Sequence, residues 1–273
     1  MAESAMLQQA RDFVEESDAL AALVERIPAS AWLSETQFKR WTFADIVAHL
    51  HIGNHLALLS LTEPPAYWAL VSRLMAAHQG EGHLAMTHAW LGHASGPEIF
   101  SLWREFYPEV AQRFGETDPA TRVPWAGAEM SARSSITARI METWAHGHAI
   151  FDALGQTRVE SDRIRAIAHL GVKTFAWAFR IRNLPVPAAA PLVRLEAPSG
   201  AVWEWNAAST GGRVEGSAVE FCQVVTQVRN VADTTLRVEG EKARQWMSIA
   251  QCFAGPPEAP PAPGARYRIS RAN

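Results

Sequence analysis

The sequence predicts an α+β protein: a long helical part over residues 1–184, a small mixed α and β domain over 190–254, and a Pro-rich tail over 255–273. Three observations predict it. Apolar residues recur at helical spacing through most of the first part. After the Pro-rich stretch 184–191 the apolar period drops to two, the spacing of strands. The chain has 273 residues, 48% of them hydrophobic, enough for one large or two ordinary domains with a sizeable core.

The elements follow in order. Leu7, Ala10, Phe13, Val14, Leu20, Leu23, Val24 and Ile27 set a helix over 4–27, which Pro28 stops. A polar connector ends in Lys39-Arg40-Trp41. Thr42 followed by Asp45 is a capping-box-like start, with the shorter Asp in place of Glu, and a helix runs from there to about Leu61, where Glu63-Pro64-Pro65 breaks it. Residues 66–77 read as another short helix. Residues 78–96, with His78, His83, His88 and His93 among glycines, read as loop with room for one helical turn. Pro97 suits a helix start, and a helix runs over 97–115 to Gly115. A loop over 116–130 contains Val123-Pro124-Trp125. Ser131 caps a helix over 132–153 that ends at Gly155, and Ser161 and Asp162 open a further helix to about Arg182, ended by Pro185 and Pro187. Leu192–Ala197 alternates, Pro198-Ser199-Gly200 turns, and Val202–Trp205 alternates again, which is a hairpin pattern. Arg213–Glu215 reads as a short strand, 217–229 as a helix, Leu236–Val238 as a strand and 241–253 as a last helix. The end, GPPEAPPAPGA, is expected to be extended and mobile.

Charge and composition exclude several classes. The chain carries 25 basic and 28 acidic residues, a net −3, mixed along its length. A nucleic-acid binder would show a basic stripe, and no polybasic membrane patch stands out. The N-terminus has neither a basic region nor a continuous apolar run, so neither a signal peptide nor a membrane span is expected. Cys222 and Cys252 form no CxxC pair and read as small core residues of a reducing compartment. A cytoplasmic protein that is a monomer or homodimer, acting on a small molecule, is the expectation.

The stretch METWAHGHAI, residues 141–150, places Glu142, His146 and His148 among apolar neighbours. Glu142 and His146 are four apart, about one helical turn, and so share a face. His148 lies roughly 200° around the axis from His146 and faces elsewhere. A carboxylate and an imidazole on one face grip a divalent ion from one side; a third ligand must come from another helix. The helix after Thr42 offers Asp45, His49, His51 and His55, and His49, beside Ile46 and Leu50, is the best core candidate. Two histidines and one carboxylate with open positions suit a catalytic zinc site or non-haem iron(II). The competing reading is a hydrogen-bonded pair, or a Glu142 neutralised by Arg139, because an ionised Glu among Ile140, Met141 and Trp144 is costly without a partner. His51 and His55 read equally as a chance pair.

The pattern WTFADIVAHL, followed far downstream by METWAHGHAIFDALG, resembles the DinB-like metal-binding family, in the branch that includes mycothiol-dependent maleylpyruvate isomerase. VPWAGAEMSARS and the domain from about Leu192, with FCQVVTQVRNVADT and WMSIAQCFAGPP, extend the likeness to an uncharacterised subfamily with an extra C-terminal domain. The resemblance implies a DinB-type four-helix up-and-down bundle with a long crossover. It places the family's metal ligands on His49, Glu142 and His146. It implies a divalent metal, zinc first with iron(II) or nickel(II) as alternatives, and in several relatives a low-molecular-weight thiol. Arg73 and Arg180 are the two positions open to the family's substrate-binding arginine, and Arg180 with Arg182 ends an apolar helix where a substrate carboxylate could be gripped bidentately. His148 and His51 are candidate acids or bases, or else solvated surface. Asp45 is a partner for His49 or a helix-capping acid. Trp41, Trp125 and Trp144 could wall a pocket or pack the core, and Trp144 and Arg73 are the cofactor-contact candidates.

The expected activity is thiol addition to a small unsaturated acid or acyl thioester, as in a thiol-dependent isomerase or S-transferase. Two alternatives stay open. One is a hydrolase, lyase or hydratase using metal-activated water. The other is a non-catalytic, metal-stabilised small-molecule binder.

Overall fold

The structure is a computed structural model, and it describes residues 7–78, 82–125 and 129–270. The expected start of the first helix at residues 4–6 and part of the loop 116–130 lie outside the described residues. The chain divides into two compact units, Met1–Ile150 and Phe151–Asn273.

The first unit is helical. It contains α1 (Gln8–Val24), α2 (Phe43–Thr62), α3 (Pro64–His78), α4 (His83–Trp90), α5 (Gly96–Gly115) and most of α6 (Ala132–Ala153). A short antiparallel pair, β1 (Arg122–Val123) and β2 (Met130–Ser131), precedes α6. The helix starts are local chemistry. The Thr42 side chain accepts the Asp45 amide while Asp45 reaches back to the Thr42 amide, and Ser95 and Glu98 do the same for α5. Each box satisfies two amides that a helix N-terminus leaves unpaired. Ser131 Oγ accepts the Ser134 amide at the start of α6. The core buries Phe13 and Leu20 of α1, Ile46 and Leu50 of α2, Trp103 and Phe114 of α5, and Ile140 and Trp144 of α6.

Residues 83–90 correct the loop reading: they form a two-turn helix. Its Leu84, Ala85 and Met86 are good helix formers, and Gly82 and Gly92, at φ +89° and +65°, turn the chain into and out of it. The helix expected over 162–182 is also corrected. It begins as a 3-10 turn at Asp162–Ile164, continues as α7 (Arg165–Lys173), and restarts as α8 (Phe175–Arg180). Thr174 at the break turns its hydroxyl onto the carbonyls of Leu170 and Gly171, a local bond that competes with helix continuation.

The second unit carries the sheet, with strand order β4-β3-β5-β6. β3 (Leu192–Glu196) and β4 (Val202–Trp205) form the expected hairpin. β5 (Arg213–Ser217) runs parallel to β3, and β6 (Arg237–Glu239) pairs antiparallel with β5. Val193, Leu195, Trp203 and Val214 face the core with α9 (Ala218–Val225), and α10 (Glu241–Ile249) follows β6. α7 and α8 belong to this unit. Gly171 lets α7 approach α9 so closely that a Cβ there would meet Val225 at 2.7 Å, and Phe175 of α8 meets Trp246 of α10 edge-on at 5.2 Å. The division into these two compact units falls within α6.

The Pro-rich tail makes contacts of its own. Residues 255–270 have no regular secondary structure but are tied down. Gln251 accepts the Glu258 amide at 2.9 Å and donates to the Pro256 carbonyl at 3.0 Å; Asn230 donates to the Pro261 carbonyl at 2.8 Å; the Ile269 amide donates to the Asp152 carbonyl at 3.0 Å.

Candidate metal centre

Two helices far apart in sequence build the site. The capping box that starts α2 sets its phase, and two turns later His49 faces α6. There Glu142 and His146, one turn apart, face back. Glu142 Oε2 lies 3.2 Å from His49 Nε2 and 3.2 Å from His146 Nε2. One ligand atom from each of the three residues lies within 4.8 Å of the others. Their side chains keep 24%, 23% and 12% exposure for His49, Glu142 and His146, so the cluster is mostly covered by protein but keeps some access to solvent.

The donor set fits a divalent ion. Ligands about 2.0–2.2 Å from a tetrahedral zinc sit roughly 3.4 Å from each other, and two histidines with one carboxylate is a catalytic zinc set. The spacing of 3.2 Å is close to that, and donors brought this near without an ion would need shared protons instead. Electrostatics agree. Burial pushes His49 down to about 4, helped by the neighbouring His146 and opposed by Glu142, so its ring is neutral at pH 7. Burial works against an ionised Glu142, but its bonds to His146 and His49 outweigh that and hold the carboxyl well below the usual range.

Arg139 feels the charge of Glu142 but spends its hydrogen bonds elsewhere. It is 4% exposed and donates to Asn54 Oδ1 at 3.0 Å and to the Leu50 carbonyl at 3.3 Å, which fixes α6 against α2. Asp45 does not bond His49 either. It serves the cap and accepts from His88 Nε2 at 2.6 Å.

Aromatic rings surround the cluster. Trp41 lies parallel to the His146 ring at 5.5 Å and tilts over His49 and His83, each at 5.3 Å. His83, from the first turn of α4, stands 6.0 Å from His49. On sequence both His83 and His88 fall in the expected loop 78–96. Asp45, an acid among Ala44, Ile46 and Val47, is a signal for His88 alone.

Other candidates lie elsewhere. His148 is buried, not solvated, and packs edge-on against Trp144 at 4.3 Å. Trp144, one of the two cofactor-contact candidates, is fully buried in the core. Arg73 is exposed on α3. Arg180 is exposed in the last turn of α8, in the second unit. His51 and His55 are not a chance surface pair: they meet at 4.6 Å and pack with Trp90 and Phe106.

A helical unit that presents two histidines and a glutamate from its second and last helices, followed by a small α+β unit, defines a DinB-like protein. Residues 13–151, from α1 to the end of the first unit, match the family described as mycothiol maleylpyruvate isomerase N-terminal domain, and the chain belongs to that family. Uncharacterised proteins from two strains of Mycobacterium tuberculosis are each 39% identical over 246 residues, covering 90% of this chain and 95% of theirs. The fold is similar to the crystal structure of the mycothiol-dependent maleylpyruvate isomerase, with TM-score 0.50 and 14% identity over 80% of this chain and 87% of that one; a mutant of that enzyme aligns equally well. Among the described residues, no helix is long and apolar enough to cross a membrane.

Proposed function

We propose that this chain is a metal-dependent enzyme that activates a low-molecular-weight thiol for addition to a small unsaturated acid or acyl thioester, as a thiol-dependent isomerase or S-transferase. The thiol that the family's description names is mycothiol. One observation carries the reading: His49, Glu142 and His146 converge from two distant helices and keep partial exposure to solvent. A bound zinc would favour the thiolate, the reactive form of a thiol held at its open position.

The chain's own groups would do the rest. His49 and His146 would offer neutral nitrogens, and Glu142 one negative charge, leaving a divalent ion with a net positive charge toward a thiolate. Trp41 would exclude water from one face. A thiolate sulfur adding to the carbon β to a carbonyl forms a C–S bond as the π pair moves to the carbonyl side. Rotation about the former double bond, return of the electron pair to it and loss of the sulfur as thiolate leaves an isomer; retention of the sulfur, with the proton that the thiol lost returned to the α-carbon, leaves a conjugate.

Elemental analysis tests the site first. Wild type is expected to hold about one zinc or similar ion per chain, and His49→Ala, Glu142→Ala and His146→Ala little or none. Metal-loaded wild type is then expected to isomerise or thiolate members of a panel of unsaturated acids and acyl thioesters only when a thiol is present. Turnover without thiol would favour water as the nucleophile, and equal metal content in wild type and His49→Ala would end the proposal.

A further inference from the structure

We propose that Trp41 is a positioning residue for the two histidines, and that the strained turn carrying it exists to deliver it; this rests on the metal reading above. The connector into α2 doubles back at Phe38–Trp41. The Trp41 amide donates to the Phe38 carbonyl at 2.8 Å, and the residues between, Lys39 and Arg40, have φ +50° and +59°. A bond from the fourth residue to the first across two left-handed residues is the pattern of a type I′ turn, which Asn-Gly and Gly pairs adopt most easily. Lysine and arginine hold that shape only under outside constraint.

The constraint is present. Glu35 and Thr42 pair across the base of the loop, the Thr36 amide donates to the Trp41 carbonyl at 2.8 Å, and Arg40 clasps Glu35 through two bonds of 2.8 and 3.0 Å. Both ends of the turn then deliver rings to one place. The Trp41 indole lies within 3° of parallel to His146, and Phe38 stands edge-on to the same imidazole at 4.9 Å and to Trp41 at 5.0 Å. An imidazole that binds an ion must hold its ring plane so that the nitrogen lone pair stays on target, a task usually given to hydrogen-bonding partners behind the ligands. Here a face contact and an edge contact from one loop restrict the swing of His146, and the Trp41 tilt over His49 at 5.3 Å restrains the second ring.

Titration of the metal-free protein with Co2+, followed by its visible absorption, tests this. Wild type is expected to bind Co2+ with a low-symmetry spectrum. Trp41→Ala is expected to bind it roughly 10-fold more weakly or worse, the range seen when groups that orient ligands are lost, and with a shifted spectrum. Trp41→Phe, which keeps a flat ring, is expected to recover most of the affinity. Lys39→Asn, which leaves the Arg40–Glu35 pair in place, is expected to keep the affinity while raising the melting temperature, since the turn stays and part of its strain goes. Should Trp41→Ala not fold, Trp41→Leu against Trp41→Phe makes the same comparison. Wild-type affinity and spectrum in Trp41→Ala would overturn the inference alone. Failure of wild type to bind Co2+ would overturn the metal reading, and this one with it.

Discussion

At the scale of single residues, the helix–helix contact that sets the candidate site depends on a glycine. A Cβ at Gly53 would lie 2.5 Å from Arg139 Nη1 and 2.8 Å from its Cζ. Elsewhere a long arginine would swing aside. This one is buried and bonded to Asn54 and the Leu50 carbonyl, so moving it strands a charge away from water. Two effects compete in Gly53→Ala. Alanine in a helix gains about 0.5–1 kcal/mol over glycine, while overpacking a fixed core group costs roughly 1–3 kcal/mol. The cost wins here because the neighbour cannot relax. Gly53→Ala is therefore expected to lower the urea midpoint in chelator and, since Arg139 sits one turn before Glu142, to weaken metal binding. A raised midpoint would mean that the guanidinium relaxes freely.

Single elements show where sequence reasoning succeeded and where it could not. α2, α5 and α6 were legible because their starts are written locally, as Thr42 with Asp45, Pro97, and Ser131. The ligand trio was legible for the same reason, since i, i+4 spacing on a helix fixes a shared face. α4 was not legible. A helix of eight residues between glycines is stable only through what it packs on, and that information lies in other helices. Trp90 of α4 packs at 4.9 Å against His55, and His55 stacks on Phe106 at 3.9 Å and 10°. Burial pushes His55 down to about 4, against about 6.5 in an unfolded chain. The folded value is the lower one, so as pH falls the unfolded state takes up the proton first. The stability tied to this neutral ring is complete above about pH 6.5 and is lost as pH falls from there toward 4, by up to about 1.4 kcal/mol per pH unit. Melting curves from pH 7.5 to 5 are expected to show a downward slope that His55→Phe makes shallower. An unchanged slope in that variant would place the acid sensitivity elsewhere.

At the scale of the whole chain, the contacts of α7 and α8 and those of the tail were both hidden, for one reason. Each is decided by which buried groups need partners, not by composition. α7 and α8 read as a continuation of the helical series, yet Gly171 and Phe175 find their contacts on α9 and α10. The tail, with Pro256, Pro257, Pro260, Pro261 and Pro263, has the composition of a loose extension. Its backbone nevertheless completes two buried side-chain amides. Gln227 is 4% exposed and donates to the Ala250 and Glu258 carbonyls at 3.1 and 3.0 Å; Gln251 is 1% exposed, accepts from Arg182 and Glu258, and donates to Pro256. Prolines favour this arrangement, because a residue with fixed φ loses less freedom when it is laid down. Stranding a buried polar group costs about 1–3 kcal/mol, and removing the tail strands part of both amides and also removes the Ile269 bond to Asp152. A chain ending at Ala254 is thus expected to melt several degrees lower, with faster amide exchange in α9 and α10. In the full chain, protease is expected to cut 255–270 far more slowly than the same segment as a free peptide. Equal cutting rates would show that composition, and not the buried amides, governs this segment.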